Sequence, residues 1–255
     1  MYKKTSKAPS RAVIALVAGL SLINGPARAG EVMVGVATNF TGAAREIGEL
    51  FEKATGHEVV FSFASTGTLF TQISQGAPFE VFLAADRKRP QKAVDEGLAV
   101  AGSRFTYATG KIVLYSAYEG LVEGEATLRD GRFTRIAIAN PATAPYGAAA
   151  VAALDKLGVY EAVESRLVRG NNIAQTYQFV ETGNAEVGFV ALSQIARRDG
   201  GSRWLIPADL YPIIAQDAVL LEEGAENPAA RAFLEFLRGP QAAKVKTSFG
   251  YGTGN

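Results

Sequence analysis

From Glu31 onward the sequence alternates short apolar runs with stretches of helical periodicity, the signature of βαβ units built around mostly parallel sheets. The fold class is therefore α/β. Val32 to Ala37 (VMVGVA) reads as a buried first strand; the segment after it sets Ile47, Leu50, Phe51 and Ala54 on one helical face and stops at Thr55-Gly56. Val59 to Ala64 and Val81 to Ala85 read as the next strands, with a short helix between them carrying Leu69 and Ile73 up to Gly76. Further strands are expected over Lys111 to Ser116, Arg135 to Ala139, Val187 to Ala191 and Ile213 to Leu221. Helices beginning near Gly147 and Ile173 separate them and stop at Gly158 and Gly183. The last helix is fully punctuated. Asn227 is its N-cap and Pro228 its first turn, Ala230, Phe233, Leu234 and Leu237 share one face, and Gly239-Pro240 lies beyond.

Residues 1 to 29 follow another design. Lys3, Lys4, Lys7 and Arg11 precede an apolar run from Ala12 to Ile23, and Ala27-Arg28-Ala29 follows it. That order is expected of a secretory signal peptide with a small-x-small cleavage site, so the mature chain should begin near Gly30. A run of roughly a dozen residues is short against the roughly 20 that span a bilayer. The sequence has no cysteine, which excludes a lipoprotein anchor and disulfides. The expected product is a periplasmic monomer that is not membrane-embedded. Lys and Arg number 26 against 25 Asp and Glu, and five of the basic residues lie in the leader, so the remainder is slightly acidic. Nothing in that balance points to nucleic acid. No Gly/Ser linker divides the chain, so two lobes would be joined by ordinary strands. Phe105 to Tyr115 and Tyr211 to Leu221 are the best candidates, giving residues 30–109 with 214–255 as lobe I and 110–213 as lobe II.

Most enzyme chemistry lacks its parts. His57 is the single histidine and sits in the polar turn ATGHEVV, where a solvated residue is expected. Without thiols or further imidazoles there is little from which to build a nucleophile triad or a metal centre. GVATNFTG lacks dinucleotide-loop spacing, and no phosphate-binding loop of Walker type occurs. No catalytic residue, metal or cofactor is therefore expected. Arg87-Lys88-Arg89 reads as a charged helix start whose charges face solvent.

What the sequence does contain is four junctions of one format, an extended segment followed by small, hydroxyl or amide residues and then a helix. They are Ala37-Thr38-Asn39, Ser65-Thr66-Gly67, Pro145-Tyr146-Gly147 and Asn171-Asn172-Ile173. One such junction is an ordinary N-cap. Four of them, split between the expected lobes and free of Lys and Arg, suit an anion held by backbone N–H groups and neutral side chains at helix N-termini.

These segments carry a resemblance. VGVATNFTGAA, VVFSFASTGTLFTQISQGAPFEVFLAADR, AIANPATAPYG, GNNIAQ, EVGFVAL and FLRGPQAAKVKTSFGY resemble the periplasmic molybdate-binding proteins over nearly the whole chain after the leader. The resemblance implies a two-lobed periplasmic binding protein fold of type II with two crossover hinge strands. It implies molybdate or tungstate as ligand, and an ABC permease with its ATPase as partners. Carried over residue by residue, the ligand set falls on Thr38, Asn39, Thr66, Tyr146 and the backbone N–H of Ile173, with Ser65 as an alternative to Thr66. Many members place a ligand tyrosine where this chain has Ala191, and Tyr146 in APYG stands as the replacement donor, as in the branch with ATN in the first loop. Sulfate or another tetrahedral oxyanion fits the same donors. A sensor that reports anion levels without feeding a transporter, and a hydrolase or transferase on a similar scaffold, are the competing readings.

Overall fold

The structure is a computed structural model that describes residues 1–2 and 30–253. The charged and apolar stretches of the expected leader fall outside the described residues. The first half of the chain runs β1 (Glu31–Ala37), α1 (Thr41–Thr55), β2 (Glu58–Ala64), α2 (Thr66–Ser74), β3 (Val81–Leu83), α3 (Lys88–Asp95), β4 (Phe105–Gly110) and β5 (Ile112–Ser116). There follow α4 (Ala126–Asp130), β6 (Ile136–Ala139), α5 (Pro145–Lys156), α6 (Tyr160–Val163), β7 (Leu167–Gly170), α7 (Ile173–Glu181), β8 (Val187–Ala191) and α8 (Leu192–Ile195). β9 (Ser202–Leu205), β10 (Ile214–Leu220), α9 (Pro228–Arg238), α10 (Pro240–Ser248) and β11 (Gly252–Thr253) complete it.

The strands form two sheets. One has the order β11-β4-β10-β3-β1-β2 and the other β7-β6-β8-β5-β9. The chain leaves the first sheet between β4 and β5, within a single residue, and returns between β9 and β10. Both sheets are mixed. β1 runs parallel to β2 and β3, and β6 parallel to β7 and β8. The antiparallel pairs involve β10, β4 and β11 in the first sheet and β5 with β8 and β9 in the second.

Side-chain alternation along the strands explains the layering. Val32, Val34 and Val36 of β1 point into one core with Phe40, Ile47, Phe51, Phe233 and Leu237 of the α1, α9 and α10 side, while Met33 faces the opposite core with Leu69 and Phe82. In the second sheet Ile112, Ile136, Ile138 and Phe189 pack against α5, and Val113, Ala137 and Val190 pack with Val180 on the α7 side. Each sheet is thus covered on both faces. Helix α9 shows the link from sequence to packing most clearly. The Asn227 side chain accepts the Ala229 N–H at 2.9 Å, Pro228 fills the first turn, and Ala230, Phe233, Leu234 and Leu237 are buried on one face.

His57 departs from the expectation of a solvated turn residue. It is buried, its Nδ1 accepts the Gly30 N–H at 3.0 Å, and its ring stacks on Phe51 with centroids 6.1 Å apart. The aromatic surface and the backbone donor together offset the cost of taking the imidazole out of water. Its role is to fasten the start of β1.

Phe233 is fully buried and meets Phe51 edge-on at 5.3 Å and Phe61 at 6.0 Å. Phe233→Ala is expected to destabilise the protein by about 3 to 5 kcal/mol, the usual range for emptying an aromatic core position. Urea denaturation measures it, and a loss below about 1 kcal/mol would mean that this cluster collapses freely around the gap.

Candidate anion-binding site

The parallel ladders determine where the four junctions emerge. Ala37 at the end of β1 lies opposite Ala64 at the end of β2, so the Thr38 and Ser65 loops leave the sheet side by side, about one strand spacing of 4.8 Å apart. In the second sheet Ala139 lies opposite Gly170, and the loops into α5 and α7 emerge together in the same way. All four junctions sit at carboxyl ends of parallel strands, the usual ligand position of an open α/β sheet.

Thr38, Asn39, Ser65, Thr66, Tyr146 and Ile173 all line one small cavity between the two sheets, together with Ala37, Ala85, Ala144 and Pro145. The cavity volume is only about 10 Å³, and its lining contains no charged side chain. All six of those residues are buried.

Their hydrogen bonds show which donors are already engaged. Ser65 caps α2, its Oγ accepting the Thr68 N–H at 3.3 Å and lying 2.7 Å from Thr68 Oγ1. Thr66 Oγ1 accepts the Ala85 N–H at 3.0 Å, which leaves its own proton to give. Asn172 caps α7 by accepting the Gln175 N–H at 2.9 Å, so the N–H of Ile173, the first helical residue, belongs to the unpaired first turn. Ile173 is steadied from the other side, where Gln194 Nε2 donates to its carbonyl at 3.0 Å. The same Gln194 accepts the N–H of Ala191 at 2.9 Å, which ties down the end of β8.

Tyr146 is the second residue of α5, and its hydroxyl accepts from Gln216 Nε2 at 3.1 Å and from Asn39 Nδ2 at 3.4 Å. Burial pushes the phenol pKa well above its usual value, so the group stays a neutral O–H donor. The Asn39 amide also donates to Gln216 Oε1 at 2.8 Å and to the Tyr251 hydroxyl at 3.1 Å. With its side-chain protons engaged, Asn39 has its backbone N–H left to offer, alongside the N–H and hydroxyl of Thr38 at the start of a 3-10 turn.

Gln216, Tyr251, Tyr107 and Gly110 were not foreseen. Gln216 is fully buried on β10, and the hydroxyl of Tyr107 on β4 shares its proton between Gln216 Oε1 and the Ala84 carbonyl, each at 3.1 Å. A sequence signal for Gln216 does exist, since Gln216-Asp217 interrupts an otherwise apolar strand. Gly110 permits close approach. A Cβ there would stand 2.0 Å from the Tyr146 hydroxyl and 2.7 Å from Gln216 Nε2.

Several contacts span the cleft between the sheets. The Gly67 N–H donates to the Thr143 carbonyl at 2.8 Å, Ser193 Oγ to the Asn39 carbonyl at 2.8 Å, and Arg197 pairs with Glu46 at 2.7 Å. Arg89 corrects the expectation of a solvated charge. Its guanidinium pairs with Asp86 and reaches across to the Ala142 carbonyl at 3.0 Å, because Asp86 also accepts the Arg89 N–H and so pins both groups. Among the described residues no group of three or more His, Cys, Asp or Glu side chains is placed to hold a metal ion, and no helix is long and apolar enough to cross a membrane.

This geometry has clear relatives. The family described as bacterial extracellular solute-binding protein matches residues 32–252. The molybdate-binding protein ModA of Rhodobacter capsulatus is 53% identical over 252 residues, which cover 99% of this chain and 98% of that one. The ModA of Azotobacter vinelandii is 55% identical over 247 residues, 95% of this chain and 97% of its own. Among solved structures, the Azotobacter vinelandii periplasmic molybdate-binding protein superposes with a TM-score of 0.85 at 40% identity, covering 88% of this chain and 100% of that one. These relatives are binding proteins rather than enzymes. The chain belongs to the bacterial extracellular solute-binding proteins, within the group of periplasmic molybdate-binding proteins.

Proposed function

We propose that this protein captures molybdate, with tungstate as the alternative cargo, and delivers it to an ABC permease and its ATPase. The observation that carries the reading is the convergence of neutral donors from four helix N-termini, two from each sheet, on one small cavity without a cation. Thr38, Asn39, Thr66, Tyr146 and the Ile173 N–H are the donors, with Ser65 shaping the second loop. Burying a dianion costs heavily unless its oxygens are satisfied, and several charge-assisted bonds of about 1.5 to 3 kcal/mol each offset that cost. The names of the relatives supply molybdate as the anion.

Residues 30–109 with 214–255 act as one lobe and 110–213 as the other, closing on the anion about the two strand crossings. The protein works as a periplasmic monomer once its leader is cleaved near Gly30. No catalytic role or cofactor is assigned to it.

A thermal-shift panel of molybdate, tungstate, sulfate, phosphate and chromate on the leader-free protein tests the cargo. An anion present at about 100 times its dissociation constant should add about 2.7 kcal/mol of stability. Molybdate and tungstate are expected to lead. A larger shift with sulfate would reassign the protein to sulfate, and no shift with any of the five would remove the reading.

Individual donors are tested by calorimetric titration. Tyr146→Phe keeps the ring and deletes one charge-assisted donor, so molybdate binding should weaken by about 1.5 to 3 kcal/mol, roughly 10- to 150-fold. Ile173→Val should be nearly silent. Ile173→Pro deletes the backbone donor at a position where proline suits a helix, at the cost of some buried side-chain packing, and should weaken binding by a similar factor. Parent-like binding by Tyr146→Phe would leave the tyrosine as packing beside the site.

A further inference from the structure

We propose that Gln216 and Tyr251 are positioning residues, which set the direction of a hydrogen-bond relay so that the Tyr146 proton is left for the anion. The inference rests on the assignment of Tyr146 as an anion donor and adds what makes it one. A tyrosine hydroxyl both gives and accepts, so burial beside the cavity does not by itself direct its proton there.

The relay starts from a group whose polarity is fixed. The Asn39 carbonyl can only accept, and it takes the Tyr251 proton at 2.6 Å. Tyr251 Oη, its proton spent, can only accept from the Asn39 side chain, which must therefore present Nδ2 at 3.1 Å rather than Oδ1. Asn39 Nδ2 facing Gln216 then calls for an acceptor, and Gln216 presents Oε1 at 2.8 Å. Tyr107 Oη lies 3.1 Å from the same oxygen and 3.1 Å from the Ala84 carbonyl, and its one proton is shared between the two, so the polarity of the Gln216 amide is set from the Tyr251 side. The other end of the Gln216 amide is consequently Nε2, a donor, and it faces Tyr146 Oη at 3.1 Å. Tyr146 accepts there, and its proton points to whatever occupies the cavity. A reversed amide at residue 216 would take that proton itself.

The backbone is shaped for this contact. Gln216 pairs with Ala108 and Asp217 with Thr106, so Tyr107 is an extra residue in β4, a bulge that brings its hydroxyl onto Gln216 Oε1. Gly110, without a side chain, leaves room for the Tyr146 hydroxyl and Gln216 Nε2 to meet. The relay joins Asn39 and Gln216 of the first sheet to Tyr146 of the second, so it is complete only when the cleft is closed.

The test is a double-mutant cycle read by calorimetric titration with molybdate on the parent, Gln216→Met, Tyr146→Phe and the double variant. Gln216→Met should weaken binding about tenfold or more in the parent and far less in the Tyr146→Phe background, because the lost benefit passes through the phenol proton. Equal losses in the two backgrounds, or no loss in the parent, overturn the relay. If Tyr146→Phe itself binds like a parent that binds molybdate tightly, the donor assignment falls, and the relay with it. Gln216→Glu provides a reading that survives misfolding of the apolar variant. Its carboxyl donates to Tyr146 when protonated and takes the proton when ionised. Affinity relative to the parent at the same pH should fall as the introduced group ionises, and fall less steeply when Tyr146 is also Phe. A ratio that does not change with pH overturns the proposal.

Discussion

Everything at the cleft depends on parallel strand register. Ala37 beside Ala64 and Ala139 beside Gly170 bring two pairs of loops to the same edge of their sheets, and the crossings between β4 and β5 and between β9 and β10 turn those edges toward each other. A slip of one residue in either ladder would exchange core and opposite-face residues along a whole strand, moving Val34 and Val36 out of the core they share with Phe51 and Phe233. The apolar core therefore sets the register, and the register sets the site. Stability and function draw on the same side chains at this level.

The site's electrostatics follow from what surrounds it. The cavity lining is neutral, while the fully buried Asp217 is one residue from Gln216 along β10. Its carboxylate is held by Arg104, by Thr106 Oγ1 at 2.7 Å and, more distantly, by Arg87. That compensation keeps a negative charge of the protein from opposing an anion in the cleft. It also explains Arg87 and Arg89 at the start of α3, which pair with Asp217 and Asp86 rather than facing the cavity.

Much of the fold was legible because burial leaves a period in the sequence. β1, β2, β6, β8 and β10 are apolar runs, and α1, α5, α7 and α9 begin or end within a few residues of their caps. Three of the four edge strands were not legible. LVRG of β7 and SRWL of β9 are short and half exposed, and GT of β11 is two residues long, so pairing with a neighbour defines them and no hydrophobic pattern does. Helix α10 starts at Pro240 itself with Gly239 as its N-cap, where that pair read only as a stop. At the site, local N-cap chemistry marked the four junctions, and the family resemblance narrowed them to particular residues. The polar network behind them joins Asn39 to Tyr146, Gln216 and Tyr251 across separations of 107 to 212 residues, and no local pattern signals such partners. His57 was misjudged for a related reason. Its turn is polar in sequence, but Phe51 and the Gly30 amide cover it in space.

Gly110 has a consequence for how the molecule could be altered. It lies at the end of β4, where the chain passes from one sheet to the other, and its missing side chain is the space in which the Tyr146 hydroxyl and the Gln216 amide meet. A bulkier residue would restrict the backbone at the crossing. It would also evict the phenol from its place at the cleft. Backbone freedom at the crossing and packing of the Tyr146–Gln216 contact are thus coupled through one missing methyl group, and neither can be changed at that position without changing the other.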